Sequence, residues 1–214
     1  MRINLSFNNF LPYIILLFAY LLGSIPIGLI VGKVFYHKDI RKEGSGNIGA
    51  TNALRAFGTS TGLIVLLLDM AKGFIPVMLA TSLLEKGSPF IALTALLVIL
   101  GHIFPLYLGF KGGKGVATAS GAFLALTPLS LLIALITFII VVAVFRYVSL
   151  ASICAAFVFQ WHCFALLLKE AKPDYATVIL VTIVVLMIIS KHKSNLERLL
   201  NKTEPKLKFT KKGN

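Results

Sequence analysis

The sequence predicts an all-α, polytopic membrane protein with about seven transmembrane helices, its N-terminus outside and its C-terminus cytoplasmic. Three observations carry this. The 214-residue chain is 57% hydrophobic and 14% charged, more apolar surface than a soluble fold can hide. Its apolar residues fall in runs near the roughly 20 residues that a spanning helix needs. Its lysines and arginines, behind a net charge of +13, concentrate in alternate connecting segments.

The first run, 10–32, passes through Gly23-Ser24-Ile25-Pro26 and reaches Val31. With Arg2 as its single early base, it reads as a retained first span rather than a signal peptide. Runs 59–84 and 88–108 give the next two spans. The stretch 115–145 is long for one span and short for two. Thr127-Pro128 divides it, because proline removes a hydrogen bond and disfavours helix in the residue before it. The first piece, 115–127, would reach only about 20 Å at 1.5 Å per residue, a half-helix tolerated where protein covers its ends. Runs 128–145, 149–168 and 174–190 complete the set.

This division puts the bases of 32–58, 109–114, Arg146 and 191–214 on one side, with Arg2, Lys86, Lys169 and Lys172 on the other. The positive-inside tendency makes the first side cytoplasmic. A single span over 115–145 would send the basic tail outside. The bases therefore have a topological reading, and no nucleic acid partner is expected. Cys154 and Cys163 share one apolar run without metal-ligand spacing and read as small buried hydrophobes. The acidic residues form no evident hard-cation cluster, so neither metal nor cofactor is expected. The sequence has no evident internal repeat, which weakens an inverted-repeat transporter reading.

Four polar clusters interrupt this pattern. The first is Gly44-Ser45-Gly46-Asn47-Ile48-Gly49-Ala50-Thr51-Asn52 with Arg55. Its glycines let backbone approach a ligand closely. Ser45, Asn47, Thr51 and Asn52 offer short hydrogen-bonding groups, and Arg55 a planar fork suited to phosphate. The plainer reading is a loop that caps the helix starting near Gly58. The second cluster is Asp69 and Lys72, one helical turn apart inside an apolar run. They form either an ion pair that holds the bundle or a device in which Asp69 positions a basic residue or a substrate hydroxyl.

The third cluster is the loop Gly109 to Thr118, with Lys111 and Lys114 among Gly112, Gly113 and Gly115. Its spacing is not that of a Walker A loop. Backbone N–H groups, lysines and the N-terminus of the next helix suit a phosphate, although glycine before a helix is also a simple turn. Just upstream, His102 reads first as a packing hydrogen-bond donor. The fourth cluster is His192 with Asn195, Arg198 and Glu204 at the basic C-terminal boundary. Lysines there suit anionic lipid headgroups, but a histidine and an asparagine one turn apart are not explained by lipid. A smaller group, Arg146-Tyr147 with Ser149 and Ser152, lies between two spans.

Together these strings resemble one family, the bacterial acyl-phosphate:glycerol-3-phosphate acyltransferases (the PlsY type). The matching segments are Gly23 to Pro26, Gly44 to Asn52 with Arg55, Asp69 to Gly73, Gly101-His102 with Phe104-Pro105, Lys111 to Thr118, Arg146 to Ser152, and His192 with Asn195 and Arg198. They occur in family order. The tail departs at Lys193, where arginine is usual, and at Lys202, where glycine is usual. The resemblance implies one integral membrane acyltransferase domain over 1–204 and a basic cytoplasmic tail over 205–214. It also implies a reaction. A fatty acyl-phosphate acylates the 1-hydroxyl of sn-glycerol 3-phosphate, giving lysophosphatidic acid and phosphate for phospholipid biosynthesis.

On that footing the catalytic set is Ser45, Arg55, His192 and Asn195. Substrate-binding residues are Gly44, Asn47, Thr51, Asn52, Lys111, Gly112, Gly113, Lys114, Gly115, Thr118, Arg146, Ser149 and Ser152, with Asp69, Lys72 and His102 as supports. The glycine-lysine loop through Lys114 would bind glycerol 3-phosphate. An acyl-phosphate carries its own good leaving group, so positioning and charge stabilisation suffice. No serine or cysteine occupies a nucleophile elbow, which favours direct attack without an acyl-enzyme. His192 is the best side-chain base, with a substrate phosphate oxygen as the other acceptor. The expected partners are the two substrates and membrane lipids. The expected form is a multi-pass monomer of the bacterial inner membrane, its active site facing the cytoplasm. The rival reading is a membrane carrier for a phosphorylated solute, which would put its binding groups near mid-membrane.

Overall fold

Proline marks two of the breaks in this fold, at Pro26 and Pro128, although Pro76 lies within the fourth helix without ending it. The computed structural model describes residues 7–169 and 175–207. Arg2, Lys172 and the tail from 208 lie outside the described residues. The helices are α1 (Phe7–Ser24), α2 (Ile27–Tyr36), α3 (Ala50–Phe57), α4 (Thr59–Leu83), α5 (Pro89–Ile103), α6 (Val116–Leu126), α7 (Pro128–Phe145), α8 (Val148–Leu167), α9 (Tyr175–Lys191) and α10 (Lys193–Leu200). Short 3-10 turns occupy Ile40–Lys42 and Leu106–Leu108. The break expected at Thr127-Pro128 is present, with Pro128 in the first turn of α7, where its missing N–H costs nothing.

Two expectations are corrected. Run 10–32 is not one helix. It breaks at Ile25-Pro26, and α2 leaves α1 at 43°, for the same reason that operates at Pro128. The segment read as a loop up to Gly58 contains α3, a short helix too polar to stand out by hydropathy. Among the described residues, four helices are long and apolar enough to cross a membrane: Thr59–Leu83, Pro89–Leu108 (α5 with its 3-10 turn), Pro128–Phe145 and Val148–Leu166. The number rises to six if α1 with α2, and α9 with α10, each count as one bent span. α6 is apolar but has only 11 residues.

The chain divides into two units, Met1–Leu126 and Thr127–Asn214. In the first, α1 packs on α5 and α4 packs on α6. Apolar side chains gain little from meeting each other in lipid, so close backbone approach must hold such helices together. Glycines supply it. A Cβ on Gly121 would fall on the Met70 carbonyl of α4, and one on Gly73 would fall on the Thr118 carbonyl of α6. Gly23 and Gly101 lock α1 against α5 in the same way. A small core of Leu29, Val31, Ile40, Ile48, Ala53 and Val65 joins α2, α3 and α4, and the Tyr36 and Phe57 rings stack over it at 4.4 Å.

In the second unit, α8 packs on both α7 and α9, and α10 contacts α8 and α9. Outward-facing α7 residues such as Leu132, Ile136, Ile139 and Ile140 are about half exposed. Such a face suits a lipid solvent. Inside this unit, the Gln160 amide donates to Thr182 (3.1 Å) and His162 Nδ1 pairs with Ser130 (2.9 Å), the polar cross-links expected between apolar helices.

Candidate active site

In the first unit, one side chain shapes the glycine-rich segment ahead of α3. Asn52 is 2% exposed. Its amide nitrogen lies within hydrogen-bond distance of the carbonyls of Ile40 (3.1 Å), Glu43 (2.9 Å) and Asn47 (2.8 Å). Its amide oxygen accepts the Ser45 N–H at 2.8 Å. Gly44 and Gly46 take left-handed φ values of 54° and 72°, a conformation costly for residues with a side chain. A Cβ on Gly44 would also strike the Asn52 oxygen. The Asn47 side chain accepts the Gly49 N–H at 2.9 Å and turns the chain into α3. Ser45 is left exposed at the loop tip. Thr51 and Arg55, both half-buried, share one face of α3 at i,i+4 spacing. Asn52, read from sequence as a substrate-binding group, spends its amide on the loop. Arg41 is likewise engaged, pairing with Asp39 at 2.6 Å.

The glycine-lysine loop rests on the end of α5. The Gly112 N–H donates to the Ile103 carbonyl (3.2 Å), and the Gly113 N–H to the His102 carbonyl (3.0 Å). These two N–H groups, read from sequence as donors to an anion, instead close the end of α5. Helix geometry leaves the first-turn N–H groups of α6 for a ligand, with exposed Lys111 and half-buried Lys114 beside them. Gly115, at φ 83°, starts α6.

Beneath the loop lies a buried polar cluster. Lys72 Nζ is 2.9 Å from Asp69 Oδ1 and donates to the Ile25 carbonyl at 2.8 Å, at the break between α1 and α2. His102 Nδ1 is 3.1 Å from the Thr118 hydroxyl and 3.5 Å from Asp69 Oδ1. Asp69, Lys72, His102 and Thr118 are each at most 4% exposed. Thr118, expected to touch substrate, is committed to His102. Asp69 and Lys72 form the ion pair that their spacing suggests.

In the second unit the organising residue is Glu204. Ser149 and Asn195 each donate to Oε1 at 2.7 Å, and Arg198 Nε donates to Oε2 at 2.7 Å. One carboxylate thus ties the start of α8 to α10. Burial alone would push the Glu204 carboxyl up. Hydrogen bonds from Asn195, Ser149 and Arg198, with the Arg198 charge, outweigh that and hold it below its ordinary range. Leu207 N–H continues the connection to the Arg146 carbonyl at 2.7 Å. Arg146 caps α7 in the left-handed region, φ 63°, and is exposed. The Ser152 hydroxyl is turned back onto Val148 at 2.9 Å.

His192 is 2% exposed, and its Nδ1 lies 2.8 Å from the Ile188 carbonyl. A carbonyl only accepts, so Nδ1 carries the proton. In the neutral ring Nε2 then holds the lone pair, the arrangement a base needs. Sequence reasoning placed His192 and Asn195 one turn apart but gave Glu204 no role. The available signal was an acid among the bases of 191–214, a few residues beyond an asparagine and an arginine.

The chain ends α10 against its own preference. Lys202 sits at φ 58° and its N–H caps the helix through Leu199 (3.1 Å), the position where a left-handed glycine is favoured. Lys202→Gly is expected to stabilise the fold by about 0.5–1 kcal/mol, read as a higher Tm in detergent.

A family model described as glycerol-3-phosphate acyltransferase matches residues 13–202. A protein of that name from Trichlorobacter lovleyi is 49% identical over 191 residues, covering 89% of this chain and 94% of its own. Its counterpart from Listeria welshimeri is 43% identical over 194 residues, covering 90% and 95%. Among solved structures, PlsY (YgiH), an integral membrane glycerol 3-phosphate acyltransferase, superposes in its glycerol 3-phosphate form with a TM-score of 0.86 at 38% identity, covering 92% of this chain and 96% of that one. Its lysophosphatidic acid form gives 0.83 at 36% identity, covering 92% and 95%.

Proposed function

This chain belongs to the glycerol-3-phosphate acyltransferase family, and from that premise we propose that it transfers a fatty acyl group from an acyl-phosphate to the 1-hydroxyl of sn-glycerol 3-phosphate. The observation that carries the reading is chemical. A related enzyme has been solved with glycerol 3-phosphate and with lysophosphatidic acid, and these two molecules differ by one acyl group. The donor rests on the resemblance of the sequence motifs.

The step is direct. The acceptor hydroxyl oxygen forms a bond to the acyl carbon, the acyl carbon–phosphate oxygen bond breaks, and inorganic phosphate leaves. The hydroxyl proton passes to Nε2 of His192, which the Nδ1 contact with Ile188 keeps as the basic nitrogen. Arg55, Lys111, Lys114 and Arg146 supply charge for phosphate, and Ser45 contributes a hydroxyl. Asn52 and Thr118 act as supports for the two glycine segments, while Asn195 and Ser149 are set by Glu204. The His192→Gln variant is expected to lose most of its turnover. Near-full activity in it would leave a phosphate oxygen as the acceptor.

The protein works as a monomer in the bacterial inner membrane, with seven spans, the C-terminus inside, and the glycine-lysine loop facing the cytoplasm. Domain 1–204 carries the reaction and 205–214 forms a basic tail. The purified protein, given acyl-phosphate and labelled glycerol 3-phosphate, is expected to form lysophosphatidic acid and phosphate, with chelator present or absent. Acyl-CoA in place of acyl-phosphate is expected to give no product. Folded protein that makes no lysolipid from acyl-phosphate would overturn the reading.

A further inference from the structure

We propose that His102 is a positioning residue for glycerol 3-phosphate: clamped from behind by Thr118 and Asp69, its ring sets the path of the loop at Gly113-Lys114. The inference rests on the reading of that loop as the glycerol 3-phosphate site and names what holds the site in shape.

Three observations converge on His102. Its main chain receives the loop, since its carbonyl accepts the Gly113 N–H at 3.0 Å and the neighbouring Ile103 carbonyl accepts Gly112. Its ring occupies the space beside Gly113, so that a Cβ added there would overlap Nε2 and its two neighbouring ring carbons. Its Nδ1 is held at 3.1 Å by Thr118, on the first turns of α6, and faces Asp69 of α4 at 3.5 Å. The ring is thus fixed on one edge by α4 and α6, and its other edge bears on the residue before Lys114.

The Asp69 contact makes this clamp stiff. Asp69 Oδ1 is buried, and no aligned hydrogen bond reaches it; its neighbours are the Lys72 ammonium at 2.9 Å and the His102 ring at 3.5 Å. A buried carboxylate needs both neighbours, so neither can leave cheaply. Lys72 is in turn fixed to the Ile25 carbonyl. Any motion of the ring therefore disturbs a buried charge. Glycine at position 113 is required by the ring and not by backbone conformation, because only Gly115 of the two takes a positive φ. The ring and the missing side chain are complementary shapes.

That complementarity gives the test. His102→Ala is expected to raise KM for glycerol 3-phosphate at least tenfold, while KM for acyl-phosphate changes less than threefold. His102→Asn keeps a polar group near the Nδ1 position but not the outer ring edge, and is expected to shift the same KM in the same direction. Gly113→Ala alone is expected to be the worst variant, because the new methyl meets the ring. In the double variant with His102→Ala the methyl has room, and KM for glycerol 3-phosphate is expected to fall at least threefold below that of Gly113→Ala. Lys114→Ala is the control for the site itself.

If Lys114→Ala raises KM for glycerol 3-phosphate and His102→Ala does not, the positioning role is wrong and the loop reading stands. If Lys114→Ala leaves that KM unchanged, both fall. Equal changes in the two KM values, or no rescue in the double variant, would make His102 a general packing residue and overturn the proposal. Where His102→Ala proves too unstable to assay, His102→Asn decides by the same split between the two KM values.

Discussion

Lys72→Met is expected to cost the folded protein about 3–5 kcal/mol, the usual penalty for removing one member of a buried ion pair. The ammonium does two things that methionine cannot. It neutralises Asp69 at 2.9 Å and it donates to the Ile25 carbonyl at 2.8 Å. Ile25 precedes Pro26, where the helical ladder of the first apolar run is interrupted, so its carbonyl has no regular helical partner and accepts only the turn N–H of Ile27 from the backbone at the break. The variant thus leaves a carboxylate without its counter-charge, and the Ile25 carbonyl with the Ile27 N–H (3.1 Å) but without the ammonium, in a segment where an unpaired charge is costly. The double variant Asp69→Asn/Lys72→Met removes both charges and is expected to be more stable than Lys72→Met alone. Unfolding in detergent, followed for both single variants and the double, gives the coupling. A Lys72→Met variant as stable as the parent would mean that the pair carries no net burden in the fold.

Apolar patterning made much of this architecture legible. Runs 59–84 and 128–145 appear as α4 and α7 nearly residue for residue, because lipid demands long apolar helices with internally satisfied backbone. The break at Thr127-Pro128 followed from proline chemistry. The same chemistry at Ile25-Pro26 was masked by the apolar residues that continue through Val31. α3 was hidden for the opposite reason, since Thr51, Asn52 and Arg55 make eight residues look like loop. In the site, the glycine segments and the Asp69–Lys72 pair were visible locally. What local reading could not supply was direction. Asn52 bonds to its own loop, Gly112 and Gly113 aim their N–H groups at α5, and Thr118 meets a histidine 16 positions away. Glu204 meets Ser149 across 55 positions. Such pairings arise from tertiary packing, and no periodicity in the chain encodes them.

Glu204→Gln is expected to reduce turnover more than tenfold and to destabilise the fold by about 2–4 kcal/mol, given roughly 1.5–3 kcal/mol for a hydrogen bond to a charged group. The substitution is nearly isosteric, so the effect is one of donors and acceptors. The carboxylate accepts from Ser149, Asn195 and Arg198 at 2.7 Å each. A carboxamide keeps one acceptor oxygen and places an NH2 where the other stood, donor against donor. Asn195 and Ser149 then lose the anchor that sets them beside His192 and at the head of α8. The same contacts fix a pH dependence. They hold the Glu204 carboxyl below its ordinary value, so the unfolded chain binds this proton more readily than the folded one. Its contribution is complete above the ordinary glutamate value of about 4.3 and is lost as pH falls through the lower folded value. Tm of the parent protein should therefore fall across that acid window more steeply than Tm of Glu204→Gln. Ser149→Ala removes one donor and leaves the charge paired with Arg198, so it should cost only about 1 kcal/mol and retain the acid slope. Parallel Tm–pH curves for the parent and Glu204→Gln would show that this carboxylate does not tie α8 to α10.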